Sequence, residues 1–267
     1  MNEFFDQLKC GIPDKLAKET KACDEQFPTF GDDCRALGPT GNMAFCYRRY
    51  LNLCAQMIYR WHLGFRGALS PKEILKKSVE MALVYFDVVR DQLAKMTADT
   101  PWNEQARWFE PYSEVLLLAT LGGQTRERMQ LSELLHPKLV VEDLALPHTE
   151  AAIGDLLLCI AASFQSSPMD TAPLEARLQK SRKRRPKLLY KAWQALQSGD
   201  SAKFSAALAE STANFAETTA KDDHPLTAIA LQESILAALA YERGWTDLSF
   251  ELPIAARLVT HQSLELK

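Results

Sequence analysis

The chain has 267 residues, 47% hydrophobic and 24% charged, with a formal net charge of −3. Such a length buries a real core as one large domain or two modest ones, and the composition is that of an ordinary soluble globular protein. A charge of −3 excludes strong whole-molecule attraction to nucleic acid and leaves only local patches to consider.

Glycine is scarce at 11 residues, while Leu and Ala are abundant and β-branched runs are few. That balance favours helix over sheet. The longest apolar runs, VLLLATLGG and LLLCIAASF, fall short of the ~20 residues that span a bilayer. Met1-Asn2-Glu3 lacks the basic region of a secretion signal, so a cytosolic location is expected. Five of the 6 cysteines, Cys10, Cys23, Cys34, Cys46 and Cys54, fall early in the chain without a C-x-x-C pair. Reduced, buried thiols are the expectation, with an N-terminal disulfide or metal site as the alternative.

In chain order, residues 1–41 read as short helices and a Pro/Gly-punctuated loop that covers the body. The first long helix starts near Asn42 and places Met43, Tyr47, Tyr50, Cys54, Met57, Trp61 and Phe65 on one face. Arg48, Arg49, Arg60 and Arg66 fall elsewhere; their interleaving with aromatics invites a nucleic-acid or phosphate reading, and the stronger reading is that they snorkel or pair with carboxylates. Ser70-Pro71 with Glu73 predicts a capped helix start. Leu75, Val79, Ala82, Phe86, Val89 and Leu93 then form a heptad-like seam, flanked by Ile74, Met81, Tyr85 and Val88. Thr100-Pro101 and Glu110-Pro111 mark two further starts, the second opening an apolar helix that ends at Gly122-Gly123. TRERMQLSELL is a short charged helix, KLVVEDLALP an extended connector, and Thr149-Glu150 opens another apolar helix. SSPMDTAP is the best linker candidate, followed by the charged helix LEARLQKSRKRR.

From Pro186 to Gly244 three helices follow in succession. Leu189, Ala192, Trp193 and Leu196 line the first, and Gly199 ends it. Phe204, Ala207, Leu208, Ser211 and Phe215 line the second, which starts at Asp200-Ser201. The third runs from Leu226 to Gly244, and a short helix follows Pro253. Short turns between amphipathic helices make antiparallel neighbours. The expected fold is all-α, a multi-helix array of antiparallel hairpins, solenoid-like or TPR-like in part. An N-terminal lobe over residues 1–165 and a hairpin lobe over 166–267 would form one continuous body.

No catalytic, metal or cofactor motif is legible. Glu133-Leu134-Leu135-His136 is half of a di-iron motif without its second copy, and Asp222-Asp223 lacks the partner of an aspartate-rich Mg²⁺ site. Charge patterning is the sharper signal. Lys180, Arg182, Lys183, Arg184, Arg185, Lys187 and Lys191 form a basic run without an intervening acid. Nine acids then face Lys203, Lys221 and Arg243 between Asp200 and Glu251. Arg182, Lys183, Arg184 and Arg185 either bind nucleic acid or a phosphorylated ligand, or pair with the acidic helices beside them. Glu210, Glu217, Asp222, Asp223, Glu242 and Asp247 form a candidate acidic rim that would steer a basic protein partner, with plain solubility as the alternative.

KAWQALQSGDSAKFSAALAESTANFAE, with the apolar helix and Pro-containing tail after it, carries Leu196, Gly199, Asp200, Phe204, Leu208, Ala240, Gly244 and Pro253. This C-terminal part resembles the helical end of the Imm49-type family of bacterial immunity proteins. The resemblance implies a non-enzymatic inhibitor that neutralises a cognate toxin domain by occluding it, without cofactor, and with the acidic rim as contact surface. The competing readings are a TPR-like scaffold or regulator, and a nucleic-acid-associated protein that uses the basic run 180–191.

Overall fold

The computed structural model describes residues 17–18, 20–26, 41–93, 102–134, 148–219, 229–248, 250–251 and 254–266. Among them all regular structure is helical, and the fold is all-α. The helices are α1 (Gly41–His62), α2 (Pro71–Leu93), α3 (Trp102–Leu121), α4 (Thr125–Leu134), α5 (His148–Ala162), α6 (Ala172–Lys180), α7 (Arg184–Ser198), α8 (Ser201–Thr219) and α9 (Leu231–Glu242). A 3₁₀ turn, Ala255–Arg257, lies in the C-terminal tail.

Three segments are apolar all round and are buried accordingly. Val115–Ala119 of α3, Leu156–Ala162 of α5 and Ile235–Ala240 of α9 expose 7% or less at every position. α9 lies against α3, and α5 against α6 and α7. α7 and α8 pack closely as a hairpin joined at Gly199-Asp200. One hydrophobic cluster runs through all of this, from Cys23 to Leu264.

Local signals place most of these elements where the sequence puts them. Ser70 and Glu73 form a reciprocal box: the Glu73 carboxylate accepts from Ser70 N (2.9 Å) and Oγ (2.6 Å), and Glu73 N donates back to Ser70 Oγ. Leu75, Val79, Ala82 and Phe86 are buried, as are Ile74, Met81 and Tyr85, so α2 is covered on two sides. Its third side, with Lys72, Lys76 and Glu80, faces solvent. Gly199 stops α7 in the left-handed region at φ 77°, where a Cβ is disfavoured. Asp200 caps α8 by accepting from Lys203 N at 3.0 Å.

Several expectations are corrected. Pro111 does not begin a helix: α3 runs through it from Trp102 to Leu121. An interior proline costs about 3 kcal/mol. Burying Leu116, Leu117 and Leu118, each at 1% or less, outweighs that at about 1.5–3 kcal/mol apiece. α7 begins two residues before Pro186, and α9 starts at Leu231 rather than Leu226. Ala230 N is instead tied to Arg257 O (2.9 Å), holding the chain non-helical there. Arg60 does not snorkel to solvent but is buried at 3%, its Nη1 donating to Cys23 Sγ at 3.0 Å. That contact docks the helical stretch 20–26 on α1. Asp24 of the same stretch accepts from Ala68 N, and a Cβ at Gly67 would lie 2.7 Å from its carboxylate. Cys23, Cys54 and Cys159 are buried free thiols, and burial pushes the Cys159 thiol up to about 12. Cys10, Cys34, the side chain of Cys46 and the connector KLVVEDLALP lie outside the described residues.

Across α7, α8 and α9 one buried ion pair closes the C-terminal part. Glu233 is fully buried, and its carboxylate accepts from Arg185 Nε (2.9 Å), Arg185 Nη2 (2.7 Å) and Ser211 Oγ (2.6 Å). Burial alone would raise this carboxyl, but the charge and hydrogen bonds of Arg185, with the Ser211 hydroxyl, hold it below the usual range. Its contribution is therefore complete above the ordinary carboxylate pKa of about 4.3 and is lost as pH falls through the lowered value. Glu233→Ala should cost about 3–5 kcal/mol by leaving Arg185 unpaired, whereas Glu233→Leu with Arg185→Met should recover most of it. Urea denaturation at pH 7 measures both; equal losses in the single and double variants would refute the pairing argument.

Candidate functional site: an open cleft beside the C-terminal tail

A cleft of about 1010 Å³ opens where five pieces of chain meet. Trp61 comes from the end of α1, and Ser70–Glu73, Leu75 and Lys76 come from the start of α2. The α3–α4 turn contributes Leu121–Gln124, the end of α9 contributes Tyr241 and Glu242, and the tail contributes His261 and Leu264–Leu266.

Sequence chemistry fixes each wall. The Ser70–Glu73 box sets where α2 begins. Gly122-Gly123 ends α3 with Gly123 at φ 62°, a left-handed turn with open space where a Cβ would stand. The tail is laid along α9 through Val259 N, which donates to Ser234 Oγ at 3.0 Å. It then turns on a reciprocal pair, with Thr260 N donating to Ser263 Oγ and Ser263 N to Thr260 Oγ1. Leu264 is buried by that turn, and the His261 ring stacks on Tyr241 at 4.2 Å and 14°. On the rim, Arg66 lies over the Trp61 ring at 4.6 Å and pairs with Glu265 at 2.6 Å.

Three lining side chains carry a buried polar atom without a partner among the described residues: Trp61 Nε1, Gln124 Oε1 and His261 Nδ1. Leaving such a group unsatisfied costs about 1–3 kcal/mol each. Their gathering on one cleft concentrates that cost at a single place. The indole offers only a donor, the Gln124 carbonyl an acceptor, and the imidazole either role through its tautomer. Burial lowers His261 to about 4, so at neutral pH the ring is uncharged.

The acids of the cleft are already engaged. Glu73 is held by Ser70, whose hydrogen bonds keep its carboxyl below the usual range. Glu242 accepts from Arg128 Nη1 with both oxygens, at 2.7 and 2.8 Å. Arg128 is itself buried at 5% and lies over the Phe164 ring at 4.2 Å. Glu265 is held by Arg66. The exposed Lys72 and Lys76 have no acid within ion-pair distance among the described residues.

The residues singled out from sequence are not brought together here. Glu210 and Glu217 stand exposed on α8 against Arg184, at 3.0 and 3.9 Å. Glu242 sits at the cleft with Arg128, and Asp247 is exposed beyond α9. Asp222 and Asp223 lie outside the described residues. Within the basic run, Arg182 and Lys183 are exposed between α6 and α7, Arg184 faces Glu210, and Arg185 turns inward to Glu233. Two of those four arginines and lysines are thus engaged by acidic helices. The helical pattern assigns Trp61 to the core, His261 stands among scattered histidines with no i,i+4 partner, and nothing local marks Lys72, Lys76 or Gln124. Ser70-Pro71 and Gly122-Gly123 were read as helix punctuation, and they are the two turns that frame the cleft.

No family model, curated protein or solved structure matches this chain. Among the described residues no group of three His, Cys, Asp or Glu could hold a metal ion, and no helix is long and apolar enough to cross a membrane.

Because His261 is neutral in the fold down to about pH 4, while an unfolded imidazole protonates near 6.5, the unfolded state binds the extra proton between those values. Stability should therefore fall as pH drops from about 6.5 to about 4. His62 adds to the same slope, since burial lowers it too, against the opposing effect of its hydrogen bond to Ala256 O. His261→Phe keeps the stack on Tyr241 and should flatten the decline. Denaturant midpoints of both proteins at pH 7 and pH 4.5 check this, and parallel declines would exclude His261 as a source.

Proposed function

We propose that the chain is a helical binding protein that inhibits a protein partner, a toxin domain of the bacterial immunity type, by seating a projecting segment of it in the cleft and covering it. The observation that carries this reading is the cleft itself. Apolar walls from Trp61, Leu75, Tyr241 and Leu264 enclose side chains whose polar atoms lack partners. Such a surface gains both apolar burial and missing hydrogen bonds when something enters it. The resemblance of the Leu196–Pro253 part to Imm49-type proteins supplies the inhibitor character. An inhibitor by occlusion needs no catalytic group of its own, and the partner it meets would act in the cytosol.

Co-expression with the product of the adjacent gene, which this reading expects to be the toxin, is the test. Protection of the host is expected, and unprotected death at equal protein levels ends the reading. Gly123→Asn places a side chain on the cleft rim at a φ of 62° that Asn tolerates, with open space around its Cβ. Combined with Lys76→Trp on exposed α2, it should abolish protection while leaving the thermal midpoint unchanged. Full protection by that variant would move the contact surface away from the cleft.

A further inference from the structure

Resting on the reading of the cleft as a docking site, we infer that its occupant is an acidic, apolar-anchored segment of the partner, not a basic one. The argument begins with which charges remain available. Two of the three carboxylates on the cleft are ion-paired within the chain, Glu242 with Arg128 and Glu265 with Arg66, and the third, Glu73, is hydrogen-bonded as the cap of α2 by Ser70. The two ammonium groups on its α2 wall, Lys72 and Lys76, are exposed and have no acid in ion-pair reach among the described residues. The start of α2 adds the positive end of a 23-residue helix on the same wall. An incoming carboxylate therefore meets two free cations, whereas an incoming lysine or arginine meets those same cations and must break the pairs at Glu242 and Glu265 or share Glu73 with the α2 cap.

Spacing favours a chain segment. Lys72 and Lys76 are four residues apart, a rise of about 6 Å along α2. Alternate residues of an extended peptide lie about 6.6 Å apart on one side, which sets two carboxylates opposite two ammonium groups. The aromatic and leucine walls accept an apolar residue from the same segment. Trp61 Nε1 and Gln124 Oε1, a donor and an acceptor buried among the lining residues without a partner among the described residues, match in type the C=O and N–H of a peptide backbone. At about 1010 Å³ the cleft is at the upper limit of small-molecule sites, and an extended segment fills it without being enclosed.

Three blocked synthetic peptides test the inference: acetyl-Glu-Leu-Glu-Phe-Glu-Leu-Glu-amide, whose acids fall on alternate residues, and its counterparts with Lys or Gln at the four charged positions. The readout is the indole N–H resonance of Trp61 in the ¹⁵N-labelled full chain, identified among 5 tryptophans by a Trp61→Phe variant. The acidic peptide should shift this resonance saturably, bind at least about tenfold more tightly than the Lys peptide, and weaken as salt rises from about 0.05 to about 0.5 M. Lys72→Glu with Lys76→Glu should reverse the order of the two charged peptides. Both positions are exposed, and acids at a helix start favour the macrodipole, so the fold is retained. Equal binding of all three peptides, preference for the Lys peptide, or no shift with any of them overturns the inference. Failure of the docking reading is separate, since it shows as protection that survives Gly123→Asn with Lys76→Trp.

Discussion

Arg185 enters the space between α7, α8 and α9 and gives both of its facing nitrogens to a carboxylate that has no contact with water. Glu233 interrupts an otherwise apolar helix, and by itself it would forbid α9 from being central. The arginine makes that position possible. Its guanidinium also donates to Gln232 at 2.7 Å and covers the Phe215 ring at 4.5 Å, so it is held on one face as well as along its hydrogen-bonding edge. Register follows from this. A helix whose lone buried charge has one acceptable partner cannot slide or rotate against its neighbours without isolating that charge. The α7–α8 hairpin and α9 are therefore fixed relative to each other by a polar contact, where leucines alone would permit several packings.

The cleft inherits that rigidity. α9 carries Tyr241 and Glu242 at its C-terminal end and Ser234 near its start, and the tail is tied to Ser234 through Val259. Arg128 then joins α4 to the end of α9 by gripping Glu242. Three walls are thereby referred to a single helix, and α9 also packs on α3, whose end forms the Gly122-Gly123 turn. The start of α2 is set by its own capping box, and the end of α1 is joined to the tail by the 2.9 Å contact between His62 Nε2 and Ala256 O. A site assembled this way holds its aromatic faces in place while its rim pair, Arg66 with Glu265, stays in solvent at 44% and 68% side-chain exposure. Exposed pairs of that kind hold weakly, typically under about 1 kcal/mol.

The fold class and most helix ends were legible because they are set locally. Gly199, Asp200, Ser70 and Pro71 act through their own backbone and nearest neighbours, and periodic apolar positions need no partner to be recognised. What sequence hid was decided at long range. Pro111 reads as a start until the burial of Leu116–Leu118 is weighed against it. Ile229 and Ala230 read as helix until Arg257 O claims Ala230 N. Arg60 and Glu233 look like surface residues until Cys23 and Arg185, 37 and 48 positions away, supply their partners. The cleft was the least legible feature, since it joins Trp61 to Gln124 and His261 by packing alone. Only its turns left a local mark.

Charge counting in one dimension leaves open which charges are neutralised, for a physical reason. The excess of acids after Asp200 suggested an acidic surface, because position along the chain says nothing about who neutralises whom. In three dimensions the basic run and the acids after it meet: Arg184 with Glu210 and Glu217, Arg185 with Glu233. Arg128, far upstream, takes Glu242. A carboxylate that is already paired attracts a cationic partner only by the residual field of the pair, which falls faster with distance than that of a lone charge and is screened within about 8 Å at physiological salt. The long-range steering potential at the cleft therefore belongs to the charges left over. At its rim these are Lys72 and Lys76, which the local helical pattern of α2 treats as ordinary solvent-facing residues. Lys72 and Lys76, with the one acid Glu73 between them that no cation neutralises among the described residues, leave the α2 rim with a local excess of positive charge in a protein of net charge −3.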